Sequence, residues 1–461
     1  MRPTRVLGVI VGAIALASSP RMAMAQAPAR QCLLQYETST GNTRTNAQKI
    51  PSGQYNFFQG GGVTYHCEGQ DNTLIADSAE YYGDQKVLYM IGNVHYTEPR
   101  AKVDSDRMTY YQAEDRLRAE GNVNVRTQTG TTIRGPIIDY YRATTARPLA
   151  RTIATGRPRM SVVQRQTGAQ PPEPVEIVSN SLVAEGDNLV FASGNVEVTR
   201  PDLLAKSDSA FLDGTREFAR LMKTPSVQSR KGRPFTLSGG VIDLFSRNRQ
   251  LERVVATPSG HVLSQDLELV ADTVDLRITS NQIQRVIAFG RKSRARALSP
   301  EREVTADSID AVMPDQRLRE VRAIGKAYAN SIPDTSKIIS TERDWMRGDS
   351  VIAEFDSISP GDTTTKPKAK RIQATGNASS FYQLAGSGGA KAQPNLNYVR
   401  GRIITVAFVD QAVNTVNVVD QATGVYLEPS GTPARGTTTV ARPPGQPVAP
   451  PPPPPPPRRV P

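Results

Sequence analysis

Histidine and cysteine are nearly missing from this 461-residue chain, which has three His and two Cys. The scarcity narrows the chemistry. His66, His95 and His261 share no common spacing, so no imidazole constellation for acid–base work or metal binding emerges. Each reads as a satisfied or exposed strand histidine. No G-x-S-x-G, H-E-x-x-H or P-loop motif occurs, so the usual nucleophile elbow, zinc-protease helix and phosphate cradle are absent. No segment carries a long amphipathic helical period. No basic helix or aromatic–basic motif appears, which disfavours nucleic acid as a partner. Beyond the first 25 residues no apolar run is long enough to cross a membrane as a helix.

The first 25 residues read as a secretory signal. Arg2 and Arg5 precede the apolar stretch Val6–Ala17, and Ala23-Met24-Ala25 fits the small-x-small cleavage rule. Cleavage between Ala25 and Gln26 is expected. Export gives the cysteines a meaning. In an oxidising compartment Cys32 and Cys67 form the economical single disulfide. A loop of about 35 residues closed in this way contributes roughly 3–4 kcal/mol. A metal or redox pair would call for close histidines or a C-x-x-C, and neither is present.

What the chain has in quantity is a repeat. ADSAEYYGDQKVLYMIGNVHY, residues 76–96, shows it best: A-D-x-x-x-Y, a short polar turn, then an apolar alternation ending in G-N-V. Copies carry Asp106 with Gly121-Asn122-Val123, Gly194-Asn195-Val196, Asp208, Asp272 with Gly290, Asp307 with Gly325, and Asp349 with Gly376. There are about ten units, spaced by roughly 26–42 residues, the range in which repeats signal stacked architectures. Each half alternates apolar and polar residues as a strand does. GDQK at 83–86, PDQR at 314–317 and SNQ at 280–282 are turn sequences. The expected unit is therefore a hairpin, which buries its apolar face only by stacking on others. The recurring Asp is expected to cap a turn at the strand entrance by accepting backbone N–H bonds. The Gly-Gly-x-Gly-x-Asp nonapeptide of calcium β-rolls is absent, and no metal or other cofactor is expected.

The predicted organisation is a signal at 1–25, a first β module at 26–163, a Pro-rich linker or loop at 164–174, a second β module at 175–429, and a disordered Pro-rich tail at 430–461 with eight consecutive prolines, Pro450–Pro457. Of the formal charge of +12, three Arg lie in the signal and four in the tail, which leaves +5 on the body. That excess suits an anionic exported partner. The tail leaves no strand run for a membrane β-barrel after the repeats.

The repeat resembles the OstA-like family of lipopolysaccharide-transport proteins. The segments that carry the likeness are ADSAEYY with IGNVHY, SDRMTYY with AEGNVNV, and ASGNVEVTRPDLLAKSDSAFL. It extends over roughly residues 70–429, with degenerate copies near 133–160 and 237–262. The resemblance implies an all-β, open β-jellyroll in two stacked sheets, whose inward side chains form an apolar groove for glycolipid acyl chains. It implies no catalysis, a periplasmic location, lipopolysaccharide or a related glycolipid as ligand, and pairing of sheet edges with other jellyrolls or end to end with a second copy. Groove-lining candidates are Leu88, Met90, Leu117, Val123, Val125, Leu189, Phe191, Val196, Val198, Ile287 and Phe289. Two further readings stand beside it: a structural or adhesive β-solenoid with a sealed core, and a carbohydrate-active enzyme on a solenoid, which would show a paired Asp or Glu in a cleft.

Overall fold

The computed structural model describes residues 32–37, 43–163, 174–230, 234–248, 250–264, 267–314, 317–333, 335–356, 367–385, 393–409 and 412–429. The signal at 1–25, its Ala25–Gln26 cleavage point and the tail at 430–461 lie outside these residues. The described chain is all-β with no α-helix, and every strand pairing is antiparallel within one large sheet. Two short strands, β1 (Leu34–Glu37) and β2 (Arg44–Lys49), lead into six long ones: β3 (Tyr55–Cys67), β4 (Thr73–Tyr82), β5 (Val87–Glu98), β6 (Ala101–Tyr111), β7 (Arg116–Thr127) and β8 (Thr132–Tyr141). Shorter strands follow: β9 (Arg151–Thr155), β10 (Arg159–Val163), β11 (Pro174–Val178) and β12 (Ser181–Glu185). Next come β13 (Leu189–Thr199) and β14 (Leu203–Asp213), which are long, then β15 (Phe218–Met222), β16 (Ser226–Ser229), β17 (Phe235–Ser238), β18 (Val241–Arg247) and β19 (Gln250–Thr257). The series continues with β20 (Gly260–Ser264), β21 (Glu268–Ala271), β22 (Thr273–Thr279), β23 (Gln282–Phe289), β24 (Ala295–Leu298), β25 (Arg302–Ala306) and β26 (Ser308–Val312). It ends in β27 (Glu320–Ser331), β28 (Asp344–Phe355), β29 (Ala369–Leu384), β30 (Asn395–Val409), β31 (Ala412–Val419) and β32 (Thr423–Leu427).

The hairpin unit holds. GDQK turns β4 into β5, and Ser280-Asn281, both at positive φ, turn β22 into β23. Each long strand is interrupted at the repeat motif. The β4–β5 ladder breaks between Ile75 and Ser78, β5–β6 between Ile91 and Val94, β7–β8 between Glu120 and Val123, and β28–β29 around Gly376. At these breaks Gly and the next residue both take positive φ: Gly92-Asn93, Gly121-Asn122, Gly194-Asn195, Gly325-Lys326 and Gly376-Asn377. Glycine reaches that region freely and Asn tolerates it. The breaks line up from strand to strand and crease the sheet into two limbs. Where strands are short, the crease is a chain break instead, as at Asp272 between β21 and β22 and at Asp307 between β25 and β26. β8 shows the fork clearly: its first residues pair with β10 and its last with β9.

The recurring aspartates lie in the crease, not at strand entrances, which corrects the capping expectation. Asp77 and Asp106 sit mid-strand, and each accepts a 2.9 Å bond from the side chain of the crease asparagine, Asn93 or Asn122. Asp208, whose following strand β15 lacks Gly-Asn, takes Lys223 Nζ at 3.0 Å. Asp272 alone behaves as a cap, accepting the backbone N–H groups of Arg291, Lys292 and Ser293. Those bonds, the Lys292 one foremost, lower its pKa. The motif works because a carboxylate must fold over a residue without a side chain: a Cβ on Gly92, Gly121, Gly325 or Gly376 would strike the paired Asp.

Cys32 and Cys67 are bonded, as expected, tying the chain two residues ahead of β1 to the end of β3. Pro174 is a second correction. It heads β11 opposite Val163, because proline is tolerated at the first position of a strand. Hydrogen bonding runs from one predicted module into the other through β10–β11 and β9–β12. Residues 164–173 lie outside the described set.

Candidate functional site

The two limbs pack their inner faces on each other, and the inner side chains fall into rows that cross every strand. On the first limb the row nearest the crease runs Ala79, Met90, Met108, Ala119, Ile138, Ala154, Leu182, Ala192, Ala210, Leu221, Ile242, Ala256, Val274, Ala288, Ile309, Ala323, Val351, Ala374 and Ile404. Each is the cross-strand partner of the next. All are at most 4% exposed. Many are alanine because the limbs converge there and leave room for little more than a methyl group. Each larger side chain buried in this row contributes roughly 1.5–3 kcal/mol.

One row further from the crease, towards the hairpin tips, the picture changes along the molecule. Leu88, Tyr110, Leu117, Tyr140, Thr152, Ala184 and Val190 are buried. Past them the row continues through Leu212 and Ala219, partly buried, and Leu244, Val254 and Leu276, buried, to Val286, Ala311, Val321, Ala353 and Ile372. These last five are only partly buried although they point inward. The second limb behaves alike in the same stretch. Its inner row is closed from Tyr65 to Leu269 and partly exposed at Ala297, Val304 and Ala329. Within the first two-thirds the wedge is thus shut but for Leu212 and Ala219 on one limb, and between β23 and β29 it is partly exposed on both limbs. Its floor there is Ala288, Ala295, Ala306, Ala323, Ala327 and Ala374, each at most 1% exposed.

A polar cluster seals the first part. Arg142, just after β8 on the first limb, reaches Asp115 on its own limb at 3.3 Å. Across the mouth it reaches Glu98 at 3.3 Å and Gln70 Oε1 at 2.5 Å. Tyr96 donates to Glu98 at 2.7 Å, Tyr140 donates to Glu98 from the opposite limb, and Tyr110 donates to Asp115 at 2.6 Å. Burial pushes all three phenols well up, and the adjacent carboxylates add to it. Burial works against the Arg142 cation, yet Tyr96, Glu98, Tyr110 and Asp115 together hold its pKa above the ordinary value. Gln112 Nε2 ties the same tip to the Cys32 carbonyl at 3.2 Å. Beneath lies a void of only about 10 Å³, enclosed by Cys32, Tyr65, Leu74 and Arg142 among others.

The sequence-derived lining candidates divide by face. Leu88, Met90, Leu117, Val123, Val125, Val196 and Val198 are inward and buried. Leu189, Phe191, Ile287 and Phe289 are on the outer face, a correction to the expectation that they point inward. Phe191 and Phe289 are 43% and 42% exposed. Their inward neighbours are Val190, Ala192, Val286 and Ala288. The usable signal was the distance from the crease glycine. The residues two and four before it face inward in every copy: Met90 and Leu88, Ala119 and Leu117, Ala192 and Val190, Ala288 and Val286, Ala323 and Val321, Ala374 and Ile372. Size favoured the phenylalanines, but strand parity decides.

No family model matches this sequence. No curated protein matches it either. The site is therefore read from its own geometry. The three histidines stand on outward positions beside a carboxylate of a neighbouring strand: His66 with Glu37, His95 with Asp104 and His261 with Glu268. The stretch from β23 to β29 offers an apolar slot with a narrow alanine floor and wider walls of Val, Ile and Ala.

Proposed function

We propose that the chain is an exported carrier of an acylated glycolipid such as lipopolysaccharide, with acyl chains lodged between the limbs and the sugar-bearing head in water. The observation that carries this reading is the facing set Val286, Val321 and Ile372 on one limb and Ala297, Val304 and Ala329 on the other, inward, apolar and partly exposed together. An acyl chain seated there gains about 0.8 kcal/mol per buried CH₂, so affinity scales with slot length and no single residue dominates. The disulfide fits an oxidising compartment, and no helix among the described residues is long and apolar enough to cross a membrane. A periplasmic location belongs to the same proposal.

A sealed structural solenoid is the second reading, favoured by the nearly closed first two-thirds of the wedge. Photo-crosslinking in cells separates the two. Azidophenylalanine replaces Val286 or Ile372, inward and partly buried on the slot wall, and in a control Phe191, which points outward. Glycolipid adducts at the inward sites and none at Phe191 are expected. A folded, exported protein without inward adducts would establish the sealed solenoid.

A further inference from the structure

The outer face of the second limb breaks a rule of sheet pairing. Lys102 on β6 stands directly opposite Arg126 on β7, and Arg134 on β8 stands directly opposite Arg159 on β10. Like charges directly across a ladder hold their Cβ atoms about 5 Å apart and destabilise it. All four residues are exposed, and the strands that carry them are consecutive in the sheet. Compensation is sparse. Arg159 has Glu176 at 2.8 Å. Asp104, the other carboxylate of this face, is engaged by His95 at 2.8 Å. Lys102, Arg126 and Arg134 have no carboxylate within ion-pair distance among the described residues. Their polar neighbour is Asn124, whose amide oxygen accepts from Arg134 Nε at 3.4 Å in one orientation or from Arg126 Nε at 3.0 Å in the other. Elsewhere on the outer faces acids sit opposite bases, as in Arg220–Asp243 and Arg371–Glu354, and where Arg253, Arg277 and Arg285 stand directly opposite one another Asp275 and Asp310 pair with them. The patch departs from that habit in leaving Lys102, Arg126 and Arg134 without such acids.

We propose that this patch docks the molecule on a phosphate-bearing lipid surface. A flat sheet face presents its cations in one plane, as a membrane presents its headgroups. A pocket for one phosphate would instead converge buried donors, and these side chains are exposed and parallel. The patch lies on the sealed part of the molecule, away from the slot between β23 and β29. The first part would hold the surface while the slot stays free, and neither role depends on the other.

The test is flotation of the full exported chain with phosphatidylcholine vesicles, with or without about one-third phosphatidylglycerol. Each basic residue near an anionic leaflet is worth about fivefold in binding. Lys102→Gln/Arg126→Gln/Arg134→Gln should therefore weaken binding to anionic vesicles by roughly a hundredfold. Raising the salt to about 0.5 M should abolish binding, since the charges are exposed and screened. These changes remove like-charge repulsion, so the variant should melt no lower than the parent, which keeps loss of binding distinct from unfolding. Equal binding by parent and variant, or no preference for anionic vesicles, overturns the proposal. So does displacement by millimolar inorganic phosphate at constant ionic strength, which would mark a single-phosphate site.

Discussion

A glycine and an aspartate explain most of the repeat. Gly121 sits at φ +75° with Asp106 folded against it and Asn122 completing the contact. Gly121→Ala would put a side chain in the left-handed region, costing about 1–2 kcal/mol, and would drive its Cβ into the Asp106 carboxylate. Urea unfolding should show a loss of about 2 kcal/mol or more. Adding Asp106→Ala should return the collision part and leave the backbone part. If the double variant is no better than the single one, the carboxylate is not what excludes a side chain there. The sequence made the motif visible but not its use. An Asp before a strand reads as a cap because caps are the commonest local use of Asp. The partner that overrides this, Asn122, is sixteen residues away, and only the crease brings them together. The Arg142 cluster was invisible for the same reason. Glu98, Asp115 and Arg142 carry no motif, and they meet because three hairpin tips meet.

Elements were more legible than contacts. Turn sequences and alternation located the hairpins, since both are set by residues close in sequence. The Pro-rich stretch at 164–174 reads as a linker or a loop, and β10 and β11 pair on either side of it, because pairing is decided by the strands and not by the loop. The disulfide belongs to this scale. β1 is held by a four-residue ladder to β3 and by the Cys32–Cys67 link. Its outward positions are exposed, so the ladder alone is weak. Cys32→Ser/Cys67→Ser should lower stability by roughly 3–4 kcal/mol, and β1 amides should exchange far faster than those of β5. Uniform acceleration across the molecule would instead mean that the link stabilises the whole stack and not this edge.

At the scale of the molecule the stack has two unlike ends. The first carries β2, RTNAQK, whose six residues are all exposed, with a base at each terminus. The last carries β32, TGVYL, also fully exposed, with Val425, Tyr426 and Leu427 each more than half open to solvent. β32 pairs with β30 on one side, and it has neither charge nor proline to discourage an incoming strand, the devices by which edges are usually protected. Strand addition at that edge is the expected route to neighbouring jellyrolls or to a second copy. Because the two ends differ, self-pairing would be head to tail and would extend without closing. Sedimentation of the full chain across a hundredfold concentration range should show species that grow in steps of one chain. Val425→Lys/Leu427→Lys, which sets like charges along the edge, should leave the monomer. A wild-type chain that stays monomeric throughout would assign β32 to a partner other than itself. A lysine variant that still grows would move the contact to another surface.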